Sequence, residues 1–381
     1  MPAELSAPRL DVDALLADPA TRIVVCCGAG GVGKTTTAAA LGLRAAERHG
    51  RRTVVLTIDP ARRLAQSMGL TELDNTPRQV KGIDSAASGG ELHAMMLDMK
   101  RTFDEVVQAH TTPARAAEIF ANPFYQAMSS TFSGTQEYMA MEKLGQLRSR
   151  DEWDLIVVDT PPSRSALDFL DAPARLSRFL DGRMLRLLLA PARTGGRSMF
   201  SLVTASFGVF SRVVQKVLGA QLLTDMSGFV AALDSMFGGF RHRADETYRI
   251  LQDRETAFLV IAAPERDAIR EAVYFAERLV QDRMPLAGLV LNRVHRAAFE
   301  SVSAAQAAAA ADALDAAGGQ QVTVDALRVH AALVAQTERE ARVAATFTDE
   351  FPTVAAVAVT AQPADIHDVD GLRTIGDALV A

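Results

Sequence analysis

The residues Gly28-Ala29-Gly30-Gly31-Val32-Gly33-Lys34-Thr35 carry the spacing GxxxxGK[ST], which curls backbone N–H groups around a phosphate chain. Glycines permit the tight curl, and a helix opening behind it adds positive potential at its N-terminus. The backbone of Gly30, Gly31, Val32 and Gly33 is the expected cradle. Lys34 is expected to reach the β and γ phosphates in binding and catalysis, Thr35 to hold Mg²⁺, and Thr36 to touch the α phosphate. Chance would place this pattern in a chain of such length on the order of one time in a hundred. Its flanks sharpen it: the apolar run Ile23–Cys27 precedes and the helical pattern Lys34–His49 follows. The competing reading is a glycine turn beside an ordinary lysine, which these flanks disfavour. Phosphate chemistry also needs a carboxylate at the end of a neighbouring strand, to order the metal's water shell. Leu155-Ile156-Val157-Val158-Asp159 supplies it, followed by Thr160-Pro161-Pro162. The expected ligands are therefore ATP or ADP with Mg²⁺.

Positioning such groups requires strands. Six short, nearly continuous apolar runs read as strands covered on both faces: Ile23–Cys27, Thr53–Asp59, Leu155–Asp159, Ala257–Ala262, Leu286–Asn292 and Thr353–Val359. Helical patterns at Lys34–His49, Arg266–Gln281 and Asp370–Ala381 lie between or after them. This alternation predicts an α/β fold, a doubly wound, mostly parallel sheet flanked by helices. Residues 93–150 and 174–254 carry helical spacing and no strand run, so they read as helical insertions into a single domain spanning 1–381. Residues 1–21 read as an N-terminal extension. Ala304–Ala317, closed by Gly318-Gly319, reads as a peripheral helix with a glycine stop.

Composition narrows the function classes. Of 381 residues, 49% are hydrophobic and only 6% aromatic, which suits a buried parallel sheet. The net charge of −6 argues against nucleic acid as a partner, since that binding rests on neutralising phosphates. The only cysteines, Cys26 and Cys27, are adjacent and should point to opposite faces of a strand. They build neither a disulfide framework nor a CxxC site, so they read as small core residues in a reducing compartment. No basic start leads into an apolar run, and the apolar stretch Met199–Ser211 falls short of the ~20 residues of a spanning helix. The expected location is the cytoplasm, with a membrane surface as a further place of contact.

The strand-borne GGVGKTT motif, followed by Thr57-Ile58-Asp59-Pro60-Ala61 and then Asp159-Thr160-Pro161-Pro162, resembles the ArsA and tail-anchored-protein targeting ATPases. The resemblance implies an ATPase in which Asp59 positions or activates the attacking water and joins Thr35 and Asp159 around the metal. It implies that Asn292, ending Leu289-Val290-Leu291-Asn292, meets adenine. Pro363, in Ala361-Gln362-Pro363-Ala364, resembles the loop that covers the base. The family loop usually reads GKGGVGKT, and its first lysine crosses a dimer interface; here that position is Ala29. Such a charge in trans can be worth roughly 10³–10⁵ in rate, so slow hydrolysis by the isolated chain is expected. A lysine-bearing paralogue could supply the charge, or Arg62, Arg63 or Arg164 could replace it.

What the resemblance implies about partners is less uniform. Cysteines for metalloid and a CxxC zinc clasp are missing from the sequence. The implied assembly is a homodimer or a heteromer with a paralogous ATPase. Ten Met and Phe residues between Met184 and Phe240 read either as the core of a helical subdomain or as a groove for a hydrophobic client protein. Arg175 to Lys216 holds eight basic residues with Asp181 the only acid, either a solvated face or a contact for anionic lipid. Two function classes follow: an ATP-driven switch, or a nucleotide-binding regulatory subunit with weak intrinsic hydrolysis.

Overall fold

The computed structural model describes residues 7–58, 63–70, 72–84, 88–122, 125–126, 135–161, 242–243, 245–299 and 301–381. The chain divides into two compact units, 1–96 with 150–167 and 250–381, and 97–149 with 168–249. The first unit is built on one eight-stranded sheet in the order β3-β4-β2-β5-β1-β6-β7-β8. Its strands are β1 Ile23–Gly28, β2 Arg52–Thr57, β3 Arg78–Gln79, β4 Glu91–Met96, β5 Leu155–Asp159, β6 Thr256–Ala262, β7 Leu286–Val294 and β8 Ala356–Thr360. All pairings are parallel except β3 with β4. β1, β5 and β6 are buried at every residue, as continuous apolar runs on a doubly covered sheet must be.

The helices of this unit's N-terminal half are α1 Val12–Ala17, α2 Lys34–His49 and, after β2, α3 Arg63–Ser67. α2 is bounded by glycines in the left-handed region, Gly33 at its start and Gly50 at its end. Arg48 and His49 in its last turn complement the helix dipole. The expected N-terminal extension is part of the sheet unit. Arg9 bridges in parallel to Ala356, and Leu10, Val12 and Leu16 enter the main hydrophobic core. Arg51, itself buried, donates to the carbonyls of Leu16, Asp18 and Thr21 at 3.1, 3.1 and 2.7 Å, and to that of Asp154. That one guanidinium ties the extension to the strand edges.

Two parts of the reading from sequence need correction. The helical insertion expected from residue 93 begins later, because 91–96 is β4, paired with the whole of β2. Its sequence ELHAMM lacks β-branched residues and is only alternately buried, so no apolar run marks it. The apolar runs also left unannounced the long helix that precedes β8, α9 Gln321–Glu350. In the second unit α4 Met99–His110, α5 Pro113–Ala121 and α6 Thr135–Ser149 are helical as expected. Asp98 caps α4 through the Arg101 N–H, and Thr112 caps α5 through that of Arg115, with Pro113 in the first turn. The expected insertion 174–254 lies outside the described residues through 241.

The C-terminal half of the sheet unit adds α7 Arg266–Gln281, α8 Ala304–Ala316, α9 and α10 Val369–Ala378. Ser303 and Gln306 form a capping box on α8. α8 and α9 pack on one another, and α9 also packs on α7. α10 lies against α2, where Arg44 bonds Asp13 of α1 at 2.7 Å and Asp377 at 2.9 Å.

Candidate functional site

β1 is the central strand, with β5 on one side and β6 on the other. From β1 the chain crosses to β2, beyond β5; later it enters β6 on the opposite side. The crevice past the carboxyl end of β1 is therefore a topological switch point, where open α/β sheets bind ligands. Gly30, Gly31, Gly33, Lys34, Thr35 and Thr36 line a cavity of ≈ 340 Å³ there. Gly31 and Gly33 have φ of +77° and +94°, backbone that other residues rarely adopt. Gly33 is required twice over, since a Cβ on it would sit 2.2 Å from Asn292 Nδ2.

The side chains expected to act on phosphate converge. Lys34 is largely buried, and its Nζ donates to the Ala29 carbonyl at 2.7 Å, so the ammonium is held over its own loop. Thr35 donates its hydroxyl to Asp159 Oδ2 at 2.8 Å, joining α2 to the end of β5. Thr57, at the end of β2, donates to the same oxygen at 2.9 Å. Asp159 itself is fully buried. Strand register explains the convergence: Asp159 lies level with Cys26 on β1 and Thr57 on β2. Thr160 then bonds the Cys26 carbonyl at 2.9 Å, fixing the turn that follows. A hydroxyl and a buried carboxylate, 2.8 Å apart under a glycine cradle, are the hard oxygen donors that Mg²⁺ takes beside phosphate.

Asn292 stands at the end of β7, where its Nδ2 donates to the Val32 carbonyl at 2.9 Å and its Oδ1 accepts from Arg293 N–H at 3.0 Å. Each of these atoms has a second hydrogen-bonding position, the donor and acceptor pair that an adenine edge matches. The immediate work of Asn292 in the structure is to brace the loop. Pro363 is exposed and not part of the cavity wall, whereas Asp365, Ile366 and His367 just after it are. Asp59, Arg62 and Arg164 lie outside the described residues, as does the Arg63 side chain. Ala29 is 8% exposed and belongs to the core cluster.

Sequence reasoning missed several residues here. Thr57 was signalled only by standing two places before Asp59. Arg293, with φ of +62°, and Gln66 and Ser67 also line the cavity. Behind them, the chain just past β7 is gripped by α9. The Glu340 carboxylate accepts from His295 N–H at 2.9 Å and lies 2.7 Å from its Nδ1, while Gln336 donates to Glu340 at 3.0 Å. Glu340 is buried, so the end of β7 that carries Asn292 and Arg293 has a fixed exit.

Cys26 and Cys27 do occupy opposite faces of β1; only Cys26 joins the main core cluster, and the Cys27 thiol donates to the Leu259 carbonyl at 3.4 Å. Burial pushes both thiols well above their ordinary range, which leaves them inert as ligands. Among the described residues no helix is long and apolar enough to cross a membrane.

The family model described as anion-transporting ATPase, ArsA, matches residues 21–312. The chain is similar to "ATPase ASNA1 homolog 1" of Paramecium tetraurelia, 24% identical over 271 residues, covering 70% of this chain and 73% of that protein. It is similar to "ATPase GET3" of Malassezia globosa, 24% identical over 275 residues, with 71% and 72% covered. "ATPase ARSA2" of Chlamydomonas reinhardtii is 25% identical over 271 residues, with 70% and 66% covered.

Proposed function

The chain belongs to the ArsA family of anion-transporting ATPases and is an ATP hydrolase; from that premise we propose that hydrolysis at the β1 loop switches an apolar client-binding surface carried by residues 174–254. The observation that supports the chemistry is the single Asp159 oxygen shared by Thr35 and Thr57 under the glycine cradle. Lys34 holds the phosphate charge as a point cation. Thr35 gives its hydroxyl to the metal, and Asp159 orients both that hydroxyl and the metal's water shell. Mg²⁺ held by Thr35 and the waters ordered by Asp159 would offset the negative charge of the phosphates. Asp59 orients the attacking water and takes its proton. Asn292 offers its remaining donor and acceptor to the adenine edge, and Asp365, Ile366 and His367, which follow Pro363 and line the cavity, cover the base.

A second reading rests on Ala29. A chain without a lysine there lacks a cation that reaches across to a partner's phosphates, and a single developing charge left uncompensated slows phosphoryl transfer. The protein then binds nucleotide well, hydrolyses it slowly alone, and works as a homodimer or with a lysine-bearing paralogue. Phosphate release by the purified full chain separates the two. The expected result is slow turnover that rises when a paralogue carrying GKGG is added, above the sum of the parts. Fast turnover of the pure protein at every concentration refutes the partner-dependent reading. Asp59→Asn is expected to keep Mg·ATP and lose hydrolysis; an unchanged rate would reduce Asp59 to a strand cap. Client binding is read with a hydrophobic transmembrane-type peptide in the ATP and ADP states, and equal capture in both ends the switch proposal.

A further inference from the structure

A second cavity, of ≈ 620 Å³, lies between α7 and α9, and none of the chemistry above uses it. Arg266 and Arg270 of α7 line one side, Arg339 and Arg342 of α9 the other, and the half-buried Val273 and Val343 complete the apolar part of the lining. The spacings i,i+4 and i,i+3 put each pair of arginines on one helix face. Among the described residues only Arg270 of the four has a carboxylate at ion-pair distance, Asp267 at 3.2 Å, and that pair is 78% and 90% exposed. Such a pair contributes little. Elsewhere in this unit Arg44, Arg278, Arg328 and Arg373 each have a carboxylate at ion-pair distance. In a chain of net charge −6, three arginines without carboxylates at one cleft form a local positive site. Arg266 opens α7, where the helix dipole already favours an anion over a cation.

The chemistry of the lining selects the ligand. Guanidinium forks match carboxylates two bonds at a time, and Arg rather than Lys stands at all four positions. The half-buried Val273 and Val343 would stay wet under a small inorganic anion, and are covered by a segment that brings an apolar side chain of its own. The lining runs 266–273 and 339–346, about 10 Å of helix on each side, which is too short for the many phosphate contacts nucleic acid requires. We propose that the α7–α9 cleft docks an acidic segment of a partner protein, about two helical turns long, whose carboxylates pair with the four arginines over an apolar contact on Val273 and Val343. α7 lies within the residues matched to the family and α9 beyond them, and no residue of the cleft lines the nucleotide cavity.

The test uses the full chain and a fluorescein-labelled peptide of about twelve residues, Glu at helical spacing around Leu, read by anisotropy. Binding is expected for that peptide and not for its Glu→Gln counterpart, and it should weaken as salt rises. Arg266→Glu with Arg270→Glu, and separately Arg339→Glu with Arg342→Glu, should each weaken binding by about ten-fold or more. Arg254→Glu, exposed and outside the cleft, should leave it unchanged. Retained ADP binding reports that each variant is folded, and the milder Arg→Gln pairs replace any that is not. Failure of the wild-type chain to bind the acidic peptide overturns the proposal, as does equal binding by either double variant. So does an arginine-dependent preference for tripolyphosphate, or for vesicles with about one-third phosphatidylserine, over the peptide.

Discussion

Gly33→Ala tests the phosphate cradle with a cost that can be worked from the geometry. At φ +94° an alanine is strained by roughly 1–2 kcal/mol. Its Cβ also stands 2.2 Å from Asn292 Nδ2, so Asn292 must turn away and release the Val32 carbonyl. Losing that bond and leaving the carbonyl without it adds about 1–2 kcal/mol. The sum, about 3 kcal/mol, is a factor of roughly a hundred. It is borne between the unfolded chain and the ADP-bound protein. A loop that keeps its shape shows the loss in denaturant stability; a loop that relaxes shows it in ADP affinity. Denaturation and calorimetry together therefore read the total. Asn292→Ala removes the clashing atom beforehand, so adding Gly33→Ala to it should cost only the backbone strain. The expected coupling between the two positions is about 1–2 kcal/mol. If the two costs simply add, Gly33 and Asn292 do not meet as described and the cradle argument fails.

Asp159→Asn is expected to keep nucleotide and lower phosphate release by at least about a hundred-fold, since an amide neither orders the metal shell nor holds both hydroxyls alike; magnesium-dependent turnover at the wild-type rate would count against it. Arg51→Met leaves four backbone carbonyls of the N-terminal segment and strand edges without their donor, and should lower stability by about 2–4 kcal/mol in denaturant. The Arg44 guanidinium, followed by His49, holds the Asp13 carboxyl down from 3.8 to about 2. The stabilisation from that carboxylate is present above its unfolded value near 3.8 and is lost as pH falls toward 2, so Asp13→Asn should flatten the melting temperature across that acid window. Glu340→Ala frees the chain after Asn292 and should weaken ADP several-fold by calorimetry, with Glu340→Gln, which keeps an acceptor, losing less.

What could be read in the sequence is what is encoded locally. The glycines, Lys34 and Thr35 declare themselves within eight residues, and the buried strands β1, β5, β6 and β7 are unbroken apolar runs. Asp159 could be picked out as a strand-end carboxylate, but its meeting with both Thr35 and Thr57 follows from strand order, which places β5 between β1 and β2. β4 was lost because Glu91 and His93 interrupt its apolar face near the sheet edge. The N-terminal extension looked separate because its anchor, Arg51, is a charged residue whose partners are carbonyls rather than a complementary motif. Glu340 was invisible for a related reason. A buried acid in a polar helix is explained only by His295, forty-five residues away.

The shared Asp159 oxygen also indicates how a change at phosphate travels. Thr35 opens α2, and Thr57 ends β2 two residues before Asp59, so one carboxylate ties the loop that holds phosphate to the strand that delivers the second aspartate. Thr35 can keep its hydroxyl proton on Asp159 while a lone pair of the same oxygen stays open to a metal. Thr57, the second donor to that carboxylate oxygen, holds Asp159 level with the end of β2. Thr160, bonded to the Cys26 carbonyl, holds the start of the following segment against β1 throughout. Two chains leave this point, after Thr57 and after Pro161. Those are the segments whose motifs, Asp59-Pro60-Ala61 and Asp159-Thr160-Pro161-Pro162, first marked the chain as an ATP-driven machine.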